Sequence, residues 1–227
     1  MVESWDVADV QRFLHAAAGD RRYGPVWLVA LHTGMRRGEL LGLRWQDVDL
    51  DTGVLHVRQA LSVVSTDDGP KVTFGEPKTH SGRRTIALDT TCVAVLREHR
   101  ARQIERRLAL GPQWREGDLV FTNEVGGPVD PMNLYHRFVA LAAKAGVSRI
   151  PLHGLRHTHA TLLMKHGVNP KVVAERLGHA DITLTLSTYS HVLPQMQQQA
   201  TDVFAEAIRR EGPTEGEAAR DVEEGED

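Results

Sequence analysis

His153-Gly154-Leu155-Arg156-His157-Thr158-His159-Ala160-Thr161 is followed by Leu177-Gly178-His179-Ala180-Asp181-Ile182-Thr183. Ten residues after that second histidine stands Tyr189, in Ser187-Thr188-Tyr189-Ser190-His191. The stretch reads as helices over about 154–166 and 170–177, with Gly178 as the C-terminal glycine of the second. It sets two candidate acid/base imidazoles (His153, His179), a guanidinium (Arg156) and a phenol along one short length of chain. Upstream, Thr33-Gly34-Met35-Arg36-Arg37-Gly38-Glu39-Leu40 adds a second arginine after a Thr-Gly break, and Pro77-Lys78-Thr79 adds a lysine. Such a set suits chemistry at a phosphodiester without a metal.

Working outward, helical spacing of Val7, Val10, Phe13 and Leu14 predicts a first helix with Ser4 or Asp6 as its N-cap. A second runs from about Pro25 to His32, and a third starts near Arg36. The period then changes: the β-branched run Val54–Val64, the shorter Lys71–Phe74 and the alternating Arg84–Leu88 predict a small antiparallel sheet of about three strands. Gly69-Pro70 and Ser81-Gly82 mark its turns. Helices follow at roughly 90–109, 131–145, 154–166, 170–177 and 194–210. The expected fold class is α+β, mostly helical: one domain over residues 1–210 with a small sheet inserted near its front.

Bulk composition narrows the function classes. The chain has 227 residues, enough to bury a proper core. Its one cysteine, Cys92, allows no disulfide within a single chain, so a reducing cytoplasm is the expected compartment. Even its longest apolar runs, such as Val26–Leu31, are far short of a membrane span. Net charge is −3, yet residues 211–227 hold eight carboxylates against Arg220 alone; removing that net −7 leaves +4 on residues 1–210. The body is mildly basic and the tail is an acidic block expected to be disordered. The tail reads first as solvated, with competition against DNA for the basic surface as the rival.

Each candidate has a chemical reason. A phosphodiester under attack carries its charge on two non-bridging oxygens, and guanidinium forks match that geometry as lysine does not; Arg36 and Arg156 each sit beside a helix break. His153 and His179 can exchange a proton or hold a phosphate oxygen near neutral pH. Tyr189 is the candidate nucleophile, its phenol needing nearby cations to attack. Lys78, on the connection between the second and third expected strands, can donate a proton to a departing oxygen, with Lys71 as its rival. Glu39, three residues past Arg36, can brace it from the same helical face. His159 falls in the apolar series Leu155, Leu162, Leu163 and reads as packed, and His157, His166 and His191 read as ordinary core or surface histidines.

In order and approximate spacing, Arg36, Glu39, Lys78, His153, Arg156, His179 and Tyr189 resemble the active-site set of the tyrosine recombinase (phage integrase) family, over about residues 1–200. The resemblance implies that family's catalytic-domain fold and a tyrosine that attacks the scissile phosphate, forms a 3′-phosphotyrosyl link and frees a 5′ hydroxyl. A partner strand's hydroxyl then reverses the step, so neither metal, cofactor nor ATP is required. It implies double-stranded DNA attachment sites as partner, a homotetramer on DNA from monomers when free, integration or excision of a phage or mobile element, and a place on the bacterial nucleoid; a directionality factor is left open. Family members usually carry one or two additional DNA-binding domains before this one, whereas here Met1 is followed almost at once by the catalytic region; either the chain is a fragment or it has lost those modules, and weak DNA binding by the chain alone is expected. The helix at 194–210, with apolar Met196, Val203, Phe204 and Ile208, docks either on a neighbouring subunit or on the chain's own core. Gly154 stands where many relatives have aspartate.

Other classes fit less well. Asp47-Val48-Asp49-Leu50-Asp51 fails as a calcium loop because Thr52 replaces the required glycine and Arg58 the closing glutamate. His157 and His159 lack further zinc ligands, and there is no phosphate-binding Gly-x-x-x-x-Gly-Lys-Ser/Thr loop. Two alternatives stay open: a non-catalytic DNA-binding or regulatory protein of the same fold, and a topoisomerase-like nicking-closing enzyme.

Overall fold

The computed structural model describes residues 4–67, 69–77, 80–183, 186 and 193–211. The chain divides into two compact units, Met1–Thr188 and Tyr189–Asp227. In the first, α1 (Val7–Ala17), α2 (Gly24–Thr33) and α3 (Arg37–Leu41) precede five short strands, after which α4 (Thr90–Leu110), α5 (Pro131–Ala145), α6 (Gly154–Lys165) and α7 (Pro170–Leu177) follow. The fold is mostly helical with small antiparallel sheets.

Local chemistry sets the helix starts. Asp6, Asp89, Asp130 and Asn169 each cap a helix by accepting from backbone N–H groups of its first turn, which satisfies donors that have no intrahelical acceptor. Helices α2 and α7 both end on a glycine in the left-handed region, Gly34 and Gly178, a conformation that costs other residues energy.

The core forms where α1 lies on α5 and α2 on α6. Trp5, Phe13, Trp27 and Phe138 interlock there with ring centroids 4.8 to 6.1 Å apart. Trp5 also ties the N-terminal segment across the chain. Its backbone N–H donates to Thr158 Oγ1 at 3.0 Å and its indole N–H to the Ser148 carbonyl at 2.8 Å.

A three-stranded antiparallel sheet is present, but its strands are β1 (Val48–Asp49), β2 (Val54–Val57) and β5 (Arg84–Ala87), in the order β1-β2-β5. The expected single strand 54–64 is divided. Val57 pairs with Arg84 in this sheet, and from Ala60 the chain pairs instead with β4 (Gly69–Gly75) as strand β3 (Ala60–Thr66) of a separate hairpin. At the break Arg58 reaches toward Asp47 and Gln59 donates to the Gly42 carbonyl. Beyond Leu61 the β3 side chains are exposed on both faces. The β-branched run therefore marks two pleated segments of which only the first is core.

In the second unit, α8 (Leu193–Glu211) is a 19-residue helix on which Val203, Phe204 and Ile208 are exposed. Met196 and the acidic tail from 212 onward lie outside the described side chains.

Candidate functional site

The C-terminal end of α7 organises the site. Three consecutive carbonyls there each accept from a different arginine: Arg176 O from Arg84 Nε at 2.7 Å, Leu177 O from Arg156 Nη2 at 2.7 Å and Gly178 O from Arg36 Nη2 at 3.1 Å. These are carbonyls that the helix itself cannot satisfy, at its partially negative end, so cations are held there by both hydrogen bonds and the helix dipole. Arg156 also donates from Nη1 to the Gly34 carbonyl at the end of α2, 2.8 Å away. Two helix C-termini thus fix the planes of the guanidiniums. The turn at Gly178 admits no side chain: with φ at 71°, a Cβ there would lie 2.7 Å from the Ser81 carbonyl and 3.0 Å from Arg84.

Arg36 is the N-cap of α3 and Glu39 its third residue, joined as a capping box in which Glu39 Oε2 accepts from the Arg36 N–H at 3.0 Å. Glu39 Oε1 also takes Arg36 Nη1 at 2.8 Å. Arg84 donates to the same carboxylate twice, from Nη1 at 3.1 Å and Nη2 at 2.8 Å. Glu39 is 3% and the Arg84 side chain 6% exposed, whereas that of Arg36 is 44% exposed. Burial pushes the Glu39 carboxyl pKa up, but the bonds and charge of Arg84 and then the bonds from Arg36 outweigh it and hold the pKa below the ordinary glutamate value. Arg36 is the solvent-facing member of a buried ion cluster.

His179 follows directly on this carbonyl row. Its backbone N–H is bonded to Ala174 O. Burial, then the charges of Arg156, Arg36, His157 and Arg84, push its pKa down to about 4, so it is neutral at pH 7. His153 occupies the N-cap position of α6 without a side-chain cap bond, its ring 5.4 Å from that of His157. Arg36, His153 and Arg156 line one cavity of about 100 Å3 with Met35, Leu152 and Trp27. The structure therefore brings together Arg36, Glu39, Arg156 and His179, with His153 on the shared cavity. Lys78 and Tyr189 lie outside the described residues. Lys71 is exposed on β4, paired with Val64.

Sequence reasoning missed Arg84, the buried counter-charge of Glu39, and Arg176. Arg176 donates from Nε to His159 Nε2 at 3.1 Å and from Nη2 to the carbonyls of His32 and Ala87. His159 itself is packed, its Nδ1 on the Leu31 carbonyl at 2.8 Å, and burial followed by the charge of Arg176 lowers its pKa to about 3. His157, ordinary in its sequence setting, has its ring against that of His153, and burial, then the charges of His153 and Arg156, push its pKa down. Asp47, the first residue of the segment that fails as a calcium loop, is 2% exposed and committed to Arg44 at 2.7 Å, with Arg58 3.6 Å away.

The described residues hold no helix long and apolar enough to cross a membrane. The family model described as the phage integrase family matches residues 4–196. Among curated proteins, the tyrosine recombinase XerC-like protein of Caldanaerobacter subterraneus subsp. tengcongensis is 34% identical over 89% of this chain and 54% of its own length. An integrase of Streptomyces ambofaciens is 32% identical over 91% of this chain and 53% of its own. The chain thus spans about half the length of these relatives. Among solved structures, the Tn1549 transposon integrase in complex with transposon right end DNA superposes with a TM-score of 0.72 at 26% identity, over 89% of this chain and 66% of that one. The XerA recombinase superposes with a TM-score of 0.67 at 26% identity, over 88% and 65%. With the arginine and histidine geometry in place and the family model covering most of its length, this chain belongs to the phage integrase family.

Proposed function

We propose that the chain is the catalytic part of a site-specific tyrosine recombinase that cuts and rejoins double-stranded DNA through a 3′-phosphotyrosyl intermediate. The observation that carries this reading is the row of three carbonyls at the end of α7, which aligns Arg36 and Arg156 beside a neutral His179. Two pre-oriented guanidiniums meeting at one point are suited to the two non-bridging oxygens of a phosphodiester, and they need no reorganisation when charge develops there.

In this reading Arg36 and Arg156 hold the scissile phosphate, with Glu39 and Arg84 as positioning residues behind Arg36. The Tyr189 oxygen attacks phosphorus, the P–O5′ bond breaks, and Lys78 supplies the proton that the departing O5′ needs. The His179 ring, kept unprotonated by burial and the surrounding cations, offers a lone pair for the phenol proton. Arrival of an anionic phosphate offsets the cationic field and makes that ring a better base. His153, on the cavity with both arginines, donates to a phosphate oxygen. Religation runs the same steps backward with the 5′ hydroxyl of a partner strand, so bond energy is conserved without ATP. The whole recombinase acts on matched attachment sites as a homotetramer.

A selection tests this without a defined attachment site. A pool of nicked duplexes with a randomised core is incubated with the protein in EDTA, and strands that survive SDS as protein adducts are recovered and amplified. The reading predicts enrichment of one core by the wild type and no adduct with Tyr189→Phe on that core. Adducts that persist in Tyr189→Phe, or no enrichment of any core by the wild type, refute it.

A further inference from the structure

Away from the arginine row, the end of α2 and the start of α4 bring three different donor types together. His32 lies in the last turn of α2, Asp89 is the N-cap of α4, and Cys92 follows three residues later on the same helical face. One nitrogen, one carboxylate oxygen and one sulfur from these residues all lie within 4.8 Å of one another, the one such grouping of His, Cys, Asp and Glu among the described residues. Asp89 is fixed on both sides: its Oδ1 accepts the Cys92 N–H at 2.8 Å and its Oδ2 stands 2.6 Å from His32 Nδ1. Cys92 is buried, while the side chains of His32 and Asp89 are 29% and 49% exposed, leaving an approach from solvent.

We infer that His32 Nδ1, Asp89 and Cys92 Sγ form a site for a borderline divalent cation of the zinc class, a clip between α2 and α4. A mixed sulfur, nitrogen and oxygen set suits zinc and cobalt, whereas magnesium and calcium want oxygen alone. Three protein ligands with solvent at the fourth position complete a tetrahedral shell. The thiol proton and any proton shared between His32 and Asp89 leave when the ion enters. Thiolate and carboxylate then carry two negative charges against the ion, and Arg176, whose charge acts on both Cys92 and Asp89, remains held by the His32 and Ala87 carbonyls. The ion takes no part in strand cleavage. It ties down the segment that leads into Gly34, whose carbonyl holds Arg156.

Because Cys92 is the only cysteine, a thiolate-to-cobalt charge-transfer band can arise from no other residue. The reduced, chelator-stripped chain is titrated with Co2+, and then with Zn2+. The expected result is a near-ultraviolet band that saturates at one equivalent, is bleached by Zn2+, and accompanies a rise in the thermal midpoint. His32→Gln and Asp89→Asn should each weaken Co2+ binding at least tenfold; Asn still caps a helix, so the second variant removes the charge and keeps the helix start. Cys92→Ser should abolish the band, and if that variant does not fold the other two decide. A wild type with no band at saturating Co2+, cobalt bound without the band, or His32→Gln binding as tightly as wild type overturns the inference. None of these readouts depends on recombination.

Discussion

Replacing Arg84 by methionine removes the buried half of the Glu39 ion cluster while filling similar volume. Glu39, at 3% exposure, receives four N–H bonds, two from Arg84 and two from Arg36. Each charge-assisted bond contributes about 1.5–3 kcal/mol net, and breaking a buried pair from one side costs about 3–5 kcal/mol. Arg36 remains as a counter-charge, so the loss belongs at the low end, about 3 kcal/mol. With a urea slope of roughly 3 kcal/mol/M, the midpoint at pH 7 moves down by about 1 M. The pH dependence identifies the cause. In the wild type the Glu39 pKa lies below its unfolded value, so the cluster stabilises above that unfolded value and the benefit is lost as pH falls through the folded pKa. Without Arg84 only the Arg36 bonds oppose burial, so the folded pKa rises, acid neutralises the carboxyl sooner and the penalty shrinks as pH falls. Urea unfolding of both proteins at pH 7 and pH 4 should show a loss at pH 4 less than about half that at pH 7. A loss under about 1 kcal/mol at pH 7, or an equal loss at both pH values, refutes the account of the cluster.

Gly178→Ala should destabilise by about 2 kcal/mol or more, because a left-handed backbone costs about 1–2 kcal/mol before the Cβ meets the Ser81 carbonyl at 2.7 Å. Calorimetry checks this, and an unchanged midpoint contradicts it. Arg156→Lys should lower the rate of DNA adduct formation about a hundredfold, since one ammonium cannot reproduce a fork already fixed by the Gly34 and Leu177 carbonyls; single-turnover gels decide. Acid should weaken the fold through its histidines. The His159 and His179 pKa values stand at about 3 and about 4 against 6.5 unfolded, so below pH 6.5 the unfolded chain takes up protons that the folded chain refuses. Stability is then complete above about 6.5 and falls as pH drops toward about 4. Midpoints that stay flat from pH 7.5 to 5 contradict this assignment.

Much of the architecture is legible in the sequence because helix ends announce themselves in side chains. Asp6, Asp89, Asp130 and Asn169 cap where an acceptor is needed, and Gly34 and Gly178 stop where the backbone turns left-handed. The pairing of Arg36 with Glu39 and the packing of His159 are legible for the same local reason, helical spacing. The divided strand is not, since β-branched residues on β2 and β3 look alike until burial separates them. Nor is Arg84: its partner Glu39 is 45 residues away and another of its acceptors, the Arg176 carbonyl, 92. Backbone carbonyls carry no letter in a sequence, so the row at the end of α7 that gathers three arginines is visible only in the fold. His157 looks ordinary in the sequence because its influence on His179 runs through space.

In the proposed mechanism Arg36 and Arg156 neutralise one phosphate. Adduct formation by wild type, Arg36→Ala and Arg156→Ala is measured on the selected core with an ordinary scissile phosphate and with a methylphosphonate, which lacks the negative charge. Each variant should lose at least about a hundredfold on the charged linkage and stay within about threefold of wild type on the neutral one. Equal losses on both linkages would contradict it.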